Sequence, residues 1–229
     1  MTMKTEEFFY NGYKATVLVP DKPNGKWIWK TEFFHAFEDA EVALSERGYT
    51  RVYYEISNKY GSYKAVRLMR GFQDYVTEKY GFTAKPVLFG FSRGGLYAFN
   101  YALFYPDRVD KIYLDAPVLD MKTWPWHGSA EQGEMCKEYC LSVETLPFFS
   151  DNPVDNLKEF FDNGIPLLLV AGDADDVVSF ERNAQRVIKY CERNGINLEY
   201  YVKPDCNHHP HSLKDVKPII DFVEKPRDY

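Results

Sequence analysis

The sequence lacks an excess of positive charge and long apolar runs, and each absence excludes a class of protein. Asp and Glu together number 34 and Lys and Arg 28, which gives a formal net charge of −6. Because binding to nucleic-acid phosphates requires a basic surface, we expect no nucleic-acid partner. No run of about 18 apolar residues occurs, so we expect no membrane-spanning segment.

Cysteine is also scarce, with four residues in the chain: Cys136, Cys140, Cys191 and Cys206. Their spacing matches neither a C-x-x-C motif nor a dense disulfide framework, so buried, reduced thiols are expected. Residues 1–7 lack the apolar core of a signal peptide. Both observations favour a cytoplasmic protein.

What the sequence does contain is typical of a globular protein. Hydrophobic residues make up 45% and charged residues 27% of the 229 residues, which suffices for one sizeable core. Short apolar runs alternate along the chain with segments whose apolar residues recur at helical spacing. This alternation predicts an α/β fold with a mainly parallel sheet and helices on both faces.

The order of the predicted elements favours a single domain over residues 1–229. Asn11-Gly12 between two strand-like segments predicts an N-terminal antiparallel hairpin. Apolar spacing predicts a helix over residues 31–47. The regular alternation lapses at about 118–163, which we interpret as a small cap inserted over the sheet edge.

The segment Gly90-Phe91-Ser92-Arg93-Gly94 lies between a predicted buried strand and a predicted helix. Strand, G-x-S-x-G and helix together form a nucleophile elbow, a strained turn that needs small residues two positions either side of the serine. Such a turn exposes the Ser92 hydroxyl and places the Arg93 N–H at a helix N-terminus, where it can stabilise an oxyanion. The alternative is a glycine-rich loop whose serine only caps the helix.

A serine nucleophile needs a base, and the base needs an orienting carboxylate. In a fold with this elbow, both follow later strands, in the chain order serine, acid, histidine. Gly172-Asp173-Ala174-Asp175-Asp176 follows one predicted strand, and Pro204-Asp205-Cys206-Asn207-His208-His209 follows the next. We therefore expect the acid and the base in these two segments.

On these motifs the chain resembles the α/β-hydrolase superfamily of serine esterases and peptidases over nearly its whole length. In that superfamily the acid often lies in a G-x-x-D-x-x-V-P pattern, which residues 172–178 match with Asp175 as the acid, although Ser179 replaces the proline. The histidine usually follows a G-x-G-H-like turn, with which His208 aligns. Asp and Asn stand there in place of the glycines, and both tolerate left-handed backbone. The resemblance implies that Asp175 orients His208, which activates the elbow serine.

Neighbouring residues remain open as alternatives for the acid and the base. Asp173 or Asp176 can serve as the acid, with Asp175 as a helix cap, and Asp115 at the end of an earlier strand is a further substitute. His209 is the alternative base.

The histidine loop also contains a possible set of metal ligands: Cys206, His208, His209 and His211. One short loop supplies all four, and no distant second pair closes a tetrahedral site. We therefore expect no metal and no organic cofactor.

Two N–H groups are expected to form the oxyanion hole. One belongs to Arg93, and the other to Lys30 or Thr31, which follow the predicted strand ending at Trp29. The Ser92-Arg93 pair is similar to the elbow of the glucuronoyl esterases, in which the arginine helps to hold the oxyanion. That resemblance implies the same role for the Arg93 side chain, and the alternative is a solvated arginine.

Three aromatic residues are candidates for substrate binding. Trp124 and Trp126 lie in the predicted cap, where rigid rings can stack on a sugar or aryl group. Tyr60 follows an earlier strand and can line the opposite wall. The alternative is that these rings attach the cap to the body.

These observations together predict a serine hydrolase that cleaves a carboxylic ester of a small molecule through an acyl-enzyme, with a small-acyl or carbohydrate-linked ester favoured. An acyltransferase or a peptidase with the same triad is one alternative. A non-catalytic binding protein with the same fold is the other, although a binding role needs none of the three triad residues. The oligomeric state is not predicted.

Overall fold

An eight-stranded sheet crosses the protein in the computed structural model, which describes residues 3–227. The strand order is β1-β2-β4-β3-β5-β6-β7-β8. Strand β2 pairs antiparallel with β1 and β4, and the remaining neighbours pair in parallel. The predicted mainly parallel sheet with an N-terminal antiparallel hairpin is therefore confirmed. The strands are β1 Met3–Tyr10, β2 Tyr13–Pro20, β3 Trp27–Lys30, β4 Thr50–Tyr54, β5 Val87–Phe91, β6 Lys111–Asp115, β7 Leu167–Gly172 and β8 Glu199–Lys203.

Seven α-helices lie in the described part of the chain, and two separate apolar clusters place six of them on opposite faces of the sheet. One cluster joins the sheet to α2, α3, α5 and α6, and the other joins it to α1 and α7. Alternate strand residues enter alternate clusters, as the period of two requires. The helices are α1 Asp39–Ser45, α2 Tyr63–Tyr80, α3 Gly94–Phe104, α4 Ala130–Glu138, α5 Leu157–Asp162, α6 Ala184–Asn194 and α7 Lys217–Glu224.

The predicted helix over residues 31–47 is wrong in its first half, because only α1 is helical. Phe33 and Phe37 have φ angles of +56° and +52°, which a right-handed helix does not accommodate. Their helical spacing is therefore coincidental. Residues 31–38 instead form a loop that leaves the sheet at the carboxyl end of β3.

The segment predicted as a cap contains α4, α5 and irregular structure. Its residues Trp124 and Met135 pack with Tyr60 and Leu96 in a third apolar cluster. Within residues 3–227 no helix combines the length and apolarity needed to cross a bilayer.

Candidate active site

Ser92 lies at the turn between β5 and α3, with a left-handed φ of +49°. The strain predicted for an elbow serine is therefore present. A Cβ on Gly90 would lie 2.8 Å from the Leu114 side chain, and one on Gly94 would lie 2.9 Å from the Thr31 hydroxyl. Both positions of the G-x-S-x-G motif thus require glycine because other atoms approach closely.

A continuous hydrogen-bonded chain joins Ser92, His208 and Asp175. The Ser92 Oγ lies 3.0 Å from His208 Nε2, and His208 Nδ1 lies 2.7 Å from Asp175 Oδ2. All three residues are buried. A carboxylate only accepts hydrogen bonds, so Nδ1 donates to Asp175 and Nε2 is left to accept the serine proton.

Asp175 is fixed by backbone groups as well as by the histidine. Its Oδ1 accepts the N–H groups of Val177 at 3.0 Å and Val178 at 2.8 Å. The Asp175 carboxylate therefore caps its own loop and also orients the imidazole. Its predicted role as the acid and the alternative role as a cap are thus compatible. Asp173 and Asp176 are both exposed, and Asp175 is the one that reaches His208.

Direct bonds between the acid loop and the histidine loop hold the two loops together. The Ala174 N–H donates to the Cys206 carbonyl at 3.1 Å, and the Asp176 N–H donates to Asn207 Oδ1 at 3.2 Å. Asp205 has a φ of +52°, the left-handed conformation anticipated for a residue in place of glycine. These bonds fix His208 toward Ser92.

His209, the alternative base, is exposed and stacks on Phe37 at a ring-centroid distance of 5.5 Å. Partial desolvation of the ring, together with the neighbouring imidazoles of His211 and His208, lowers the pKa of His209. Asp115, the last alternative acid, lies 2.7 Å from His211 Nδ1. It thus forms a second, separate carboxylate–histidine pair.

Replacing Gly172 with alanine should move the histidine loop, because a Cβ there would lie 2.1 Å from the Cys206 carbonyl oxygen. Backbone atoms cannot rotate away, so we expect a loss of about 1–3 kcal/mol in the free energy of unfolding. A displacement of about 1 Å at the site should also lower kcat about 100-fold.

The matched control is Gly133→Ala, since no atom lies within 4 Å of the corresponding Cβ in α4. Urea unfolding and steady-state kinetics of both variants make the comparison. Equal behaviour of the two variants would show that the close approach of the loops is unimportant.

The structure corrects one expected oxyanion donor. The Thr31 N–H donates to the Phe89 carbonyl at 3.0 Å, so it is not free to bind an oxyanion. Within residues 3–227, the Arg93 and Glu32 N–H groups have no hydrogen-bond acceptor. The Glu32 nitrogen lies 3.5 Å from where a Cβ on Gly94 would stand, which places this N–H beside the elbow. Glu32 is therefore a better second donor than Thr31.

Lys30, the other expected donor, is the last residue of β3, and its side chain is buried away from solvent. Its Nζ lies 2.8 Å from Glu41 Oε1 and donates to the Ala36 carbonyl. The ammonium group also lies over the Phe91 ring, 4.3 Å from the centroid. These contacts give the Lys30 side chain a structural role, and the role expected for the Lys30 backbone N–H stays a prediction.

The Arg93 guanidinium is engaged by carboxylates. Its Nη1 donates to Glu131 at 3.1 Å and its Nη2 to Glu32 at 3.4 Å. Its central carbon lies 5.2 Å from the centroid of the Phe33 ring. Neither predicted alternative describes this side chain fully, because it is partly buried and connects the elbow to the cap helix α4.

Two of the three aromatic candidates for substrate binding are buried. Trp124 packs in the third apolar cluster, with its ring centroid 6.5 Å from that of Tyr60. The Tyr60 hydroxyl donates to Glu134 in α4 at 3.1 Å. Both rings therefore attach the cap to the body. Trp126 is 72% exposed, so its ring is accessible to solvent.

Two exposed rings that the sequence assigned to a helix lie beside the triad. Phe33 and Phe37 are 39% and 37% exposed. Phe33 contacts Arg93, next to the serine, and Phe37 contacts His209, next to the histidine. A left-handed backbone at two bulky residues in one loop is the kind of strain that marks functional sites, but it is not visible in the sequence.

Comparison with known families decides the classification. A model of the prolyl oligopeptidase family matches residues 45–226, which is well over half of the chain. The chain belongs to the prolyl oligopeptidase family. Its match includes the elbow and both segments that supply Asp175 and His208. The resemblance to α/β-hydrolases is thereby confirmed.

Solved structures with the same fold include dipeptidyl peptidases and a protein named Est1E, although no curated protein shows a significant match. Dipeptidyl peptidase 4 of Porphyromonas gingivalis has a TM-score of 0.64 at 15% identity, covering 90% of this chain and 32% of its own. Est1E from Butyrivibrio proteoclasticus has a TM-score of 0.60 at 15% identity, covering 89% and 90%. A CIB-like hydrolase of Thermoplasma acidophilum has a TM-score of 0.54 at 19% identity, covering 91% and 90%.

These likenesses extend over different shares of the other proteins. The chain spans about a third of the length of the dipeptidyl peptidases that it matches, 33% and 32%. At these identities the comparison shows the fold alone. The match therefore shows the family, and both the activity and the substrate must be argued from the site.

Proposed function

We propose that the protein hydrolyses a carboxylic ester of a small molecule through an acyl-enzyme on Ser92. The observation that carries this proposal is the unbroken chain from Ser92 Oγ through His208 to Asp175, at 3.0 Å and 2.7 Å. Serine, imidazole and carboxylate in this order form the unit that activates a serine hydroxyl. No metal or organic cofactor takes part in the proposed reaction.

The proposed reaction has two half-reactions at the same residues. Ser92 Oγ attacks the ester carbonyl carbon while its proton passes to His208 Nε2, and the N–H groups of Arg93 and Glu32 stabilise the oxyanion. His208 then gives the proton to the leaving alkoxide as the C–O bond breaks, which leaves the acyl group on Ser92. A water molecule repeats the sequence, and Ser92 is regenerated with release of the acid. Asp175 stabilises the imidazolium in both steps.

The charges around the site favour an ester over a peptide that is anchored by its amino terminus. Recognition of a substrate ammonium requires free carboxylates near the serine. Glu131 and Glu32 are both paired with Arg93, and Glu134 accepts a hydrogen bond from Tyr60. One oxygen of each carboxylate therefore already has a partner, whereas Glu32 Oε1 is buried without one.

The exposed rings support a ring-containing substrate. Phe33 contacts Arg93 and Phe37 contacts His209, the sequence neighbours of the serine and the histidine, and Trp126 in the cap is exposed. Aromatic side chains of this kind stack on sugar and aryl groups. A carbohydrate-linked or small-acyl ester is therefore the proposed substrate, and Phe33, Phe37 and Trp126 are the rings that support it. All four cysteines are unpaired, which supports the proposed cytoplasmic location.

A peptidase with the same triad is the second candidate. The family to which the chain belongs is named for an oligopeptidase, and dipeptidyl peptidases share its fold. The same acyl-enzyme chemistry cleaves amides, so only the leaving group separates the two functions.

A fluorophosphonate probe tests the reaction class directly. We expect the wild-type protein to be labelled at Ser92 and the Ser92→Ala variant to remain unlabelled, because the probe requires an activated serine. Ser150→Ala, which removes an exposed serine in the cap, is the matched control and should label like the wild type. Absence of labelling in the wild type would favour a binding protein.

A substrate panel then separates ester from peptide. It combines aryl esters of graded chain length, acetylated, feruloylated and methyl-esterified sugars, and dipeptidyl amides. We expect hydrolysis of esters with little activity on amides. Cleavage of an amide while every ester fails would replace the esterase proposal with a peptidase.

A further inference from the structure

Three histidine rings of one loop pack around a common point beside the triad. The ring centroids of His208, His209 and His211 lie 5.0, 4.8 and 4.9 Å apart in the three pairs. The rings are steeply inclined, with interplanar angles of 69°, 78° and 90°. One nitrogen of each ring lies within 4.8 Å of those of the other two.

This spacing is close to that of imidazoles that share one metal ion. With Zn–N bonds of about 2.0–2.1 Å and tetrahedral angles, ring centroids lie about 5 Å apart. The ligand nitrogens need to approach further. His209 is exposed, so its ring can rotate about its side-chain bonds to complete the site.

Carboxylates orient two of the three rings. His208 Nδ1 lies 2.7 Å from Asp175 Oδ2, and His211 Nδ1 lies 2.7 Å from Asp115 Oδ1. In each pair Nδ1 donates to the carboxylate, so the lone pair is on Nε2. Metal-binding histidines almost always have such a partner, which fixes the tautomer and the ring. His208 and His211 thus each have a carboxylate partner on Nδ1.

Asp115 itself is rigidly held. Its Oδ2 accepts the Ser212 N–H at 2.8 Å and the Tyr113 hydroxyl at 2.6 Å, and the residue is fully buried. Nothing in the proposed hydrolysis uses Asp115 or His211. The buried pair of His211 and Asp115 therefore has no role in the proposed hydrolysis.

We propose that His208, His209 and His211 bind one Zn²⁺ ion and that this binding reversibly inhibits the hydrolase. The inhibition rests on the proposed function, whereas the binding does not. The His208 Nε2 lone pair that accepts the Ser92 proton is the same one that coordinates the metal, so both cannot occur together. Removal of the ion returns the lone pair to Ser92, 3.0 Å away.

One short loop supplies all the ligands, which the sequence alone counts against a metal site. In the folded protein, carboxylates from the ends of two other strands orient two of these ligands. Asp115 ends β6, and Asp175 follows β7. Cys206, the fourth sequence candidate, lies outside the group of converging nitrogens.

Calorimetric titration of Zn²⁺ into the full-length Ser92→Ala protein tests binding without reference to activity. We expect one ion per chain. His209→Ala, which removes an exposed ligand, should weaken binding more than tenfold, and Asp115→Asn should weaken it about 10–100-fold. Cys206→Ser is the matched control and should bind like its parent.

The inhibition is tested by the rate of fluorophosphonate labelling, or of ester hydrolysis, over a Zn²⁺ series. Each variant is compared with its own rate in chelator. We expect the wild-type rate to fall as the site fills, at the concentration given by calorimetry, and to recover when the chelator is restored. His209→Ala should need more than ten times as much Zn²⁺ for the same loss.

Three results would overturn the proposal: no Zn²⁺ binding, binding that His209→Ala leaves unchanged, or a rate that Zn²⁺ binding leaves unchanged or raises. Binding that depends on His209 in a protein that labels with no probe and cleaves no substrate would be a different result. It would support the metal site while contradicting the proposed hydrolysis.

Discussion

The Ser92→Ala variant should lose about 10⁶-fold in kcat on its best ester, and adding Asp175→Asn to it should cost nothing further. The reason is that triad residues act as a unit, so removal of the nucleophile leaves the orienting carboxylate with nothing to activate. Asp175→Asn alone should lose about 10⁴-fold in kcat with little change in KM, because an amide favours the wrong imidazole tautomer. Steady-state kinetics of the three variants provide the test.

Asp173→Asn is the matched control for the carboxylate. Asp173 is exposed, two positions from Asp175 in the same loop, and it should keep the wild-type rate. Near-ultraviolet circular dichroism of each variant shows whether packing is unchanged. If Asp175→Asn retained most of the rate while Asp173→Asn lost it, the acid would be misassigned. If the double variant were far slower than Ser92→Ala, Asp175 would act in some other way.

The sequence is most informative where a local pattern determines a local conformation. The G-x-S-x-G motif predicts the left-handed Ser92 because neighbouring atoms leave room only for glycine at Gly90 and Gly94. Asn11-Gly12 predicts the hairpin turn for the same kind of reason, with both residues at positive φ. The positions of the acid and histidine loops can be predicted as well, because the carboxyl ends of parallel strands meet at one edge of the sheet.

The sequence fails where the conformation depends on distant groups. The loop over residues 31–38 has apolar residues at helical spacing. Its conformation nevertheless depends on Lys30, which donates to Ala36, and on Arg93, which contacts Phe33. The pairing of Arg93 with Glu131 joins residues 38 positions apart. Such contacts follow from the folded arrangement of the cap, and no periodicity in the sequence indicates them.

The second large effect is expected at Lys30. Replacing it with methionine should lower the free energy of unfolding by about 3–5 kcal/mol, because Glu41 would remain buried without its nearest cation. Both side chains are only 1% exposed, and Arg51 is 3.9 Å from Glu41 Oε1. Methionine has a similar length, so the contact with Phe91 is largely kept. Urea unfolding of the variant measures the loss.

Two further variants distinguish the ion pair from general packing. Lys30→Met with Glu41→Gln should recover part of the loss, because the buried charge is removed. Lys158→Met breaks an exposed pair with Asp162, whose side chains are 80% and 63% exposed, and should change stability little. Equal losses at Lys30 and Lys158 would contradict the burial argument. The same Lys30 variant should lose activity, since Lys30 donates to Ala36 in the loop beside the triad.

The stability lost in Lys30→Met should depend on pH, in a direction set by the protonation of Glu41. Burial raises the pKa of Glu41 above its ordinary value of 4.5, and Lys30 opposes that rise. Without Lys30 the folded protein favours protonated Glu41 more strongly than the unfolded chain does. The variant is therefore least impaired at low pH and becomes less stable as the pH rises through the folded pKa. The difference in unfolding free energy from the wild type should be smaller at about pH 5 than at about pH 8, and a difference that grows on acidification would show that Glu41 is not the group left unpaired.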